Sequence, residues 1–201
     1  MKALFAFTTL ILISTAQLVS ADPMSFQQIT ENIYAGGKPS MDDLVMLRAL
    51  GVKQIINLQG GNLGGNRQFD DIVLSIQPGE SPRAIQAESF AAETLGMNEI
   101  SLPLPSYASL WTSVPENLPK VLNIMANAKD KIYVHCEHGI DRTGLVVSLF
   151  RVQQLNETPA QAREQWRSLQ KDRPVSLMTS LAMFNFFDRI TSGRKKVIAG
   201  P

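Results

Sequence analysis

Cysteine is almost missing from this chain of 201 residues, which has one, Cys136. A lone cysteine excludes an internal disulfide and a cysteine-built zinc module. Histidine is as scarce, with only His135 and His138. Both fall in one short segment with no second ligand cluster, so the sequence implies neither a metal nor any other cofactor. An excess of charge is absent too: 19 Lys and Arg face 18 Asp and Glu, a formal net charge of +1. Nucleic-acid-binding domains are usually far more basic, which argues against nucleic acid as a partner. No apolar run reaches the roughly 20 residues of a membrane span. No internal period of roughly 20–50 residues marks a repeat array. Hydrophobic residues make up 44% and charged residues 18%, which is ordinary for a folded domain and excludes wholesale disorder.

What is present begins with an address. Met1 and Lys2 give a short positive start, and Ala3 to Ala16 is apolar apart from Thr8, Thr9, Ser14 and Thr15. Val19-Ser20-Ala21 puts small or modest residues just before Asp22. This is the three-part pattern of a secretory signal peptide. The expectation is a leader over 1–21 and a single domain over 22–201, periplasmic or secreted, with no stable span after the leader is removed. An uncleaved anchor and a buried N-terminal helix are the competing readings. Without Lys2 the chain has 18 basic and 18 acidic residues. In an oxidising compartment a lone thiol is a liability unless it is buried as an inert hydrophobe or put to use.

Hydrophobic patterning predicts strands at Asn32 to Gly36, Val52 to Leu58, Ile100 to Leu104 and Ile132 to His135. Ser40 with Asp43 three residues on makes a capping box before Leu44, Leu47 and Leu50, and Gly51 stops that helix. Further helices are expected from Ser81-Pro82 to Leu95, Pro115 to Ala128, Gly144 to Leu155, from Thr158-Pro159, and from Ser176 to Ile190. Leu177, Leu181, Phe184, Phe186 and Phe187 read as core. Gly60 to Arg67 is a glycine-rich loop, residues 68–80 are ambiguous, and the tail from Ser192 is frayed. The order of elements predicts an α/β fold, a central and mostly parallel sheet flanked by helices.

The chemistry concentrates in His135-Cys136-Glu137-His138-Gly139-Ile140-Asp141-Arg142-Thr143-Gly144. This segment follows an apolar strand and precedes a helix. A tight loop at a helix N-terminus aims several backbone N–H groups inward, and the helix dipole adds to them, so the loop is an anion cradle. The same field favours a thiolate at its start. Arg142 closes the other end with a planar fork suited to two phosphate or sulfate oxygens. Gly139 permits a close backbone approach, and Thr143 can donate a hydroxyl to the sulfur. The site suits attack by sulfur on phosphorus, followed by hydrolysis of the cysteinyl-phosphate. An exposed thiolate of this kind is also prone to oxidation.

Cys136-x5-Arg142-Thr143, with His135 before it and Gly139 inside, resembles the signature of the cysteine-dependent protein-tyrosine-phosphatase superfamily. Asn32-Ile33-Tyr34-Ala35-Gly36-Gly37-Lys38-Pro39-Ser40 and then Gly51 to Leu58 are similar to the opening of its compact dual-specificity members. The likeness spans roughly 28–190. It implies a dual-specificity-phosphatase-like architecture, Cys136 as nucleophile and Arg142 as the phosphate and transition-state ligand. It implies Thr143 as support for the leaving sulfur, His135 as a residue that orients the loop, and residues 137–142 as the phosphate loop.

One part of the pattern is missing. Relatives place an acidic aspartate about 30 residues before the cysteine, whereas Ser101 to Val114 contains no Asp or Glu. Ser106 falls near that place and cannot act as an ordinary acid. Asp141, beside Arg142, is the candidate general acid, as in the myotubularin-like lipid-phosphate enzymes; a salt bridge or loop hydrogen bond is its competing reading. Glu116 reads better as a first-turn carboxylate at a helix start. His138 either meets substrate or faces solvent, the Glu137 side chain can turn away from the cradle, and Lys38, Arg67 and Arg83 are surface charges that could reach a substrate.

For the substrate, export favours phosphate scavenging over intracellular signalling. His-Cys-Glu-x-Gly resembles the exported tyrosine-phosphatase-like phytases as far as Gly139 and departs at Asp141. Inositol hexakisphosphate is therefore the favoured small phosphorylated partner, although a neutral mature chain is a poor match for a polyanion. The alternatives are a protein tyrosine or dual-specificity phosphatase, another small phosphomonoester or lipid headgroup, and a non-catalytic phosphate-binding pseudophosphatase. A sulfurtransferase is a remote further reading, since its cysteine loop is not normally closed by an Arg-Thr pair.

Overall fold

The computed structural model describes residues 26–59, 82–106, 111–170 and 177–193, without the side chains of 82–86 and 177. The leader over 1–21, the glycine-rich loop with Arg67, residues 68–80 and the tail beyond 193 lie outside the described residues, as does the Arg83 side chain. In chain order the elements are β1 (Gln27–Gln28), β2 (Ile33–Gly36), α1 (Met41–Ala49), β3 (Val52–Asn57), α2 (Pro82–Thr94), β4 (Asn98–Ser101), α3 (Asn117–Ala126), β5 (Lys131–His135), α4 (Arg142–Gln154), α5 (Pro159–Ser168) and α6 (Leu177–Ser192).

The strands form one sheet in the order β1-β2-β5-β3-β4. β2, β5, β3 and β4 run parallel, and β1 pairs antiparallel with β2 at the edge. Parallel strands buried on both faces read as apolar runs, which is why β3 and β5 were legible. The two-residue β1 carries no such run and was not foreseen.

Strand alternation divides the core in two. Ile33, Ile56, Ile132 and Val134 face α3, α4, α5 and α6. Tyr34, Ile55 and Tyr133 face α1 and α2, against Leu44, Leu47 and Ala92. Buried residues run without a break along α4 from Arg142 to Phe150. Such a helix is covered on all sides, here by the sheet and by α3, α5 and α6. The predicted capping box at Ser40 and Asp43 is formed, and Thr158 with Gln161 forms another at the start of α5.

Some boundaries differ from those expected. β4 starts two residues before and ends three residues before the expected Ile100 to Leu104, because Pro103 cannot donate to a ladder. The chain still follows β3, with Leu102 N donating to Asn57 O at 2.9 Å and Leu104 N to Leu58 O at 3.1 Å. α4 starts at Arg142 and not at Gly144, which puts the arginine in the first helical turn. Leu181 is exposed: it shares a stripe with Asn185 and Asp188, while Phe184, Phe186 and Phe187 turn inward.

α4 and α5 meet at a point with no spare room. A Cβ on Gly144 would sit 2.2 Å from Cδ1 and Nε1 of Trp166. That ring cannot easily retreat, since Trp166 Nε1 donates to Ile140 O at 2.7 Å and the ring packs on Phe184 and Phe187. Gly144→Ala is expected to cost about 2 kcal/mol. Thermal unfolding should show a midpoint lowered by on the order of 5 °C.

Candidate active site

β5 is the central strand, and its C-terminal end is flanked by the ends of β2 and β3. Crevices at such strand ends are where parallel sheets take ligands. The segment 136–141 leaves β5 there and enters α4. Its path is fixed by Gly139, whose φ of +72° suits glycine, and where a Cβ would lie 2.5 Å from Gly36 C and Gly37 N. Lys38 N donates to Glu137 O at 3.0 Å and Thr143 Oγ1 to Gly36 O at 3.3 Å, so the loop is bonded to the chain leaving β2 on both sides of the glycine. From below, Trp166 holds Ile140 O.

Cys136 and Arg142 stand at the two ends of this loop, and both are buried, at 2% and 0% exposure. The expected exposed thiolate is thus corrected: Cys136 packs into the core of the α3–α6 face, which restricts the access that oxidants need. One N–H of the Arg142 guanidinium, from Nη1, donates to Leu58 O at 3.3 Å, which orients the fork from the end of β3. The Thr143 hydroxyl, expected to serve the sulfur, directs its single proton to Gly36 O. In this geometry it ties the loop to β2.

Asp141 is buried and occupies the N-cap position of α4 without capping it. Its carboxylate accepts from Ser180 Oγ on α6 at 2.8 Å. Burial raises its pKa above 3.8, against the opposing pull of Ser180, Arg142, His138 and Gln170. A carboxyl group that holds its proton to higher pH is what proton donation requires. Glu137 does turn aside: its carboxylate accepts from Gln59 Nε2 at 2.5 Å. His138 is exposed at the rim. Ser106 is buried, and Glu116 is exposed at the start of α3 and paired with Lys120.

The sequence reading missed a polar cluster behind the loop. Alternation along β5 sends His135 to the α1/α2 face, opposite to the core that receives Cys136. There His135 Nε2 lies 2.7 Å from Glu88 Oε1 on α2, both side chains being fully or nearly fully buried. The approach lies off the hydrogen-bond axis, so the contact is chiefly one of charge. Asn57 is the register partner of His135, and its Nδ2 donates to Glu99 Oε1 at 3.0 Å. Burial works against charge on His135, but Glu88, Glu99 and the Cys136 carbonyl prevail and its pKa is raised from 6.5. Burial raises the Glu99 carboxyl from 4.5 to about 7; Glu88 adds to the rise, while Asn57, His135 and Lys38 oppose it. Glu88 did leave one sign in the sequence, a charge on the helical stripe of Ala92 and Leu95.

The parallel sheet and the loop between its central strand and a buried helix define a dual-specificity-type phosphatase fold. Residues 11–182 match the family described as "DSP-PTPase phosphatase fused to NAD+ Kinase", and the chain belongs to that family. It is a member of the cysteine-dependent phosphatase superfamily. No curated protein matches the sequence. Solved structures share its fold at low identity. A DUF442 protein of Shewanella putrefaciens is 17% identical, with a TM-score of 0.58 over 84% of this chain and 90% of its own. TpbA of P. aeruginosa is 17% identical, with a TM-score of 0.58 over 85% and 88%. The core catalytic domain of the PP-IP phosphatase Siw14 of S. cerevisiae is 19% identical, with a TM-score of 0.56 over 85% and 90%.

The raised carboxyl of Glu99 makes stability depend on pH. Between about 4.5 and 7 the folded state holds a proton that the unfolded state has lost. The stability this provides is therefore complete at the acid end and is lost as the pH rises through 7. Glu99→Gln mimics the protonated carboxyl and should remove that dependence. In urea unfolding, its stability relative to the wild type should rise between pH 5 and pH 8, by about 1–3 kcal/mol. A gap that is constant or narrows would contradict the assignment.

Proposed function

We propose that the protein is an exported phosphomonoesterase that works through a cysteinyl-phosphate on Cys136, with inositol polyphosphate, above all inositol hexakisphosphate, as its substrate. The observation that carries the reaction is the loop itself. Cys136 and Arg142 occupy opposite ends of a loop pinned by Gly139 and opening onto the N-terminus of α4.

In this reading the phosphoryl group sits over the loop. Backbone N–H groups of residues 137–142 and the Arg142 fork hold its equatorial oxygens. The Cys136 thiolate attacks phosphorus as the ester P–O bond breaks, and the leaving oxygen takes its proton from Asp141. Water then attacks phosphorus, the S–P bond breaks, and inorganic phosphate and the thiolate are released. His135 orients the loop. The hydroxyl of Thr143 supports the departing sulfur after rotating away from Gly36.

The inositol assignment is supported by the loop's likeness to the phytase pattern through Gly139 and by the fold shared with the PP-IP phosphatase Siw14. Export is supported by the leader pattern over 1–21. Lys38, which follows the glycines at the end of β2 and whose backbone N–H donates to Glu137 O, offers a cation that suits a polyanion. A phosphate-binding pseudophosphatase is favoured by one observation, the buried Ser106 where relatives place an acid.

The test is phosphate release across pH 4–8 from inositol hexakisphosphate, phosphotyrosine peptides and an activated aryl phosphate. Turnover of the inositol substrate is expected, with Cys136→Ser lowering it by at least about 10³-fold. Asp141→Asn should lose about 10²-fold on that substrate and little on the aryl phosphate, whose leaving group needs no proton. Turnover of phosphotyrosine peptides alone would replace the inositol reading with a protein phosphatase. Phosphate binding without turnover on any substrate would replace catalysis with recognition.

A further inference from the structure

Two carboxyl groups and an imidazole meet behind the nucleophile loop, with Glu88 and His135 buried and Glu99 half-buried, and neither Glu88 nor Glu99 belongs to the loop's own chemistry. The geometry of His135 is restrictive. Nε2 lies 2.7 Å from Glu88 Oε1, and Nδ1 lies 3.4 Å from the carbonyl oxygen of Cys136. Both neighbours are acceptors. A neutral imidazole has one N–H and one lone pair. The carboxylate oxygen lies off the axis of Nε2 and acts by charge: a negative oxygen 2.7 Å away favours the protonated, cationic ring, and a carbonyl opposite Nδ1 favours a proton there. The surroundings are accounted for on each side. Tyr133 of β5 stacks on the ring at 5.6 Å and spends its hydroxyl on Gly37 O. β3 contributes the neutral Asn57, β4 contributes Glu99, and α2 contributes Glu88. From the end of β2, Lys38 acts on Glu99, and from α1, Asp43 acts on Tyr133.

We propose that Glu88 is a positioning residue of the reaction: it holds His135 as a doubly protonated ring whose charge and Nδ1–H fix the Cys136 carbonyl and favour the thiolate, with Glu99 as the reserve carboxyl of the same cluster. The chain of contact runs from α2 through His135 to the nucleophile's own peptide group, without touching substrate. One imidazolium balances one carboxylate. Glu99 is the group left to take up or release the remaining proton, which fits its rise to about 7. Displacement of a nucleophile by a loosened support is costly even when the reacting groups are intact. The catalytic side of this inference rests on the proposed phosphatase reaction, whereas the protonation state of His135 does not.

The chain has only two histidines, which makes a direct test simple. In protein labelled with 15N-histidine, the two ring systems are assigned with His138→Gln, and the ring nitrogens are followed from pH 5 to pH 9. His135 is expected to carry protons on both nitrogens at pH 7 in the wild type and on one in Glu88→Gln. Turnover by Glu88→Gln should fall by about 10- to 100-fold in kcat with KM little changed. The ascending limb of its pH profile should move to higher pH, and Glu88→Asp should recover part of the loss. A singly protonated His135 in the wild type at pH 6 would overturn the proposal, as would an unchanged ring state in Glu88→Gln. If Glu88→Gln does not fold, the wild-type titration and Glu88→Asp still decide. If no substrate turns over, the nitrogen shifts alone confirm or overturn the charge assignment, and only the phosphatase reading fails with the kinetics.

Discussion

The site depends on one close approach, that of Gly139 to the backbone of Gly36 and Gly37. No side chain fits between these segments, since a Cβ at Gly139 would lie 2.5 Å from two backbone atoms. Gly37 is tight from the other side, its own Cβ position falling 3.3 Å from Glu137 O. The loop is therefore clamped between the chain that leaves β2 and the helix that begins at Arg142. Hydrogen bonds from Lys38 N and Thr143 Oγ1 close the clamp. An anion cradle must be set before its anion arrives, because N–H groups that had to reorganise would spend binding energy on ordering themselves. Here the ordering is done by packed backbone, as the cradle of the proposed reaction requires.

The second constraint is the alternation of β5. Consecutive residues of a strand point to opposite faces, so His135 and Cys136 are separated as the strand ends. Cys136 falls on the face of α3 to α6, with Val134 and Leu145. His135 falls on the face of α1 and α2, where Glu88 meets it. A slip of β5 by one residue in register would exchange these surroundings, placing the imidazole in an apolar core and the thiol among carboxylates. The register pairing of Asn57 with His135 extends the polar cluster across the sheet to Glu99. One strand end thus delivers an apolar seat for sulfur and a charged seat for its neighbour.

Legibility followed distance along the chain. The loop, its glycine, the strand before it and the helix after it are local, and each was readable from residue type and spacing. The capping boxes at Ser40 and Thr158 were readable for the same reason, as was the α/β order of elements. Boundaries slipped where a backbone bond outweighed side-chain pattern: Pro103 ended β4 early, and Arg142 joined α4 because its backbone was already helical. The supports of the site lie far off in sequence. Trp166 reaches Ile140 across 26 residues and Ser180 reaches Asp141 across 39. A single sequence carries no signal for such pairs beyond a polar residue on an apolar stripe, which is how Glu88 and Ser180 both stand in their helices.

In the proposed reaction, the placement of charge answers what looked like a deficit. The segment around Ser106 holds no carboxylate, but the loop carries one, Asp141, next to Arg142. Arg142 and Asp141 are both buried, and a buried charge is tolerated only with partners. Leu58 O receives one, and Ser180 Oγ with Gln170 attends the other. These partners come from just beyond β3, from α6 and from just beyond α5, so the carboxyl of Asp141, the acid of the proposed reaction, is fixed by the scaffold and does not ride on a separate segment. An acid on a mobile loop can approach and withdraw, and so can suit leaving groups of varied shape. An acid built into the cradle keeps a constant distance from the phosphoryl group and must find its leaving oxygen within a narrow range of poses. In the proposed reaction such a site would select substrates by how they present the ester oxygen above the loop, so that the geometry of the bound ester, more than the charge of the whole molecule, would be the ground of its specificity.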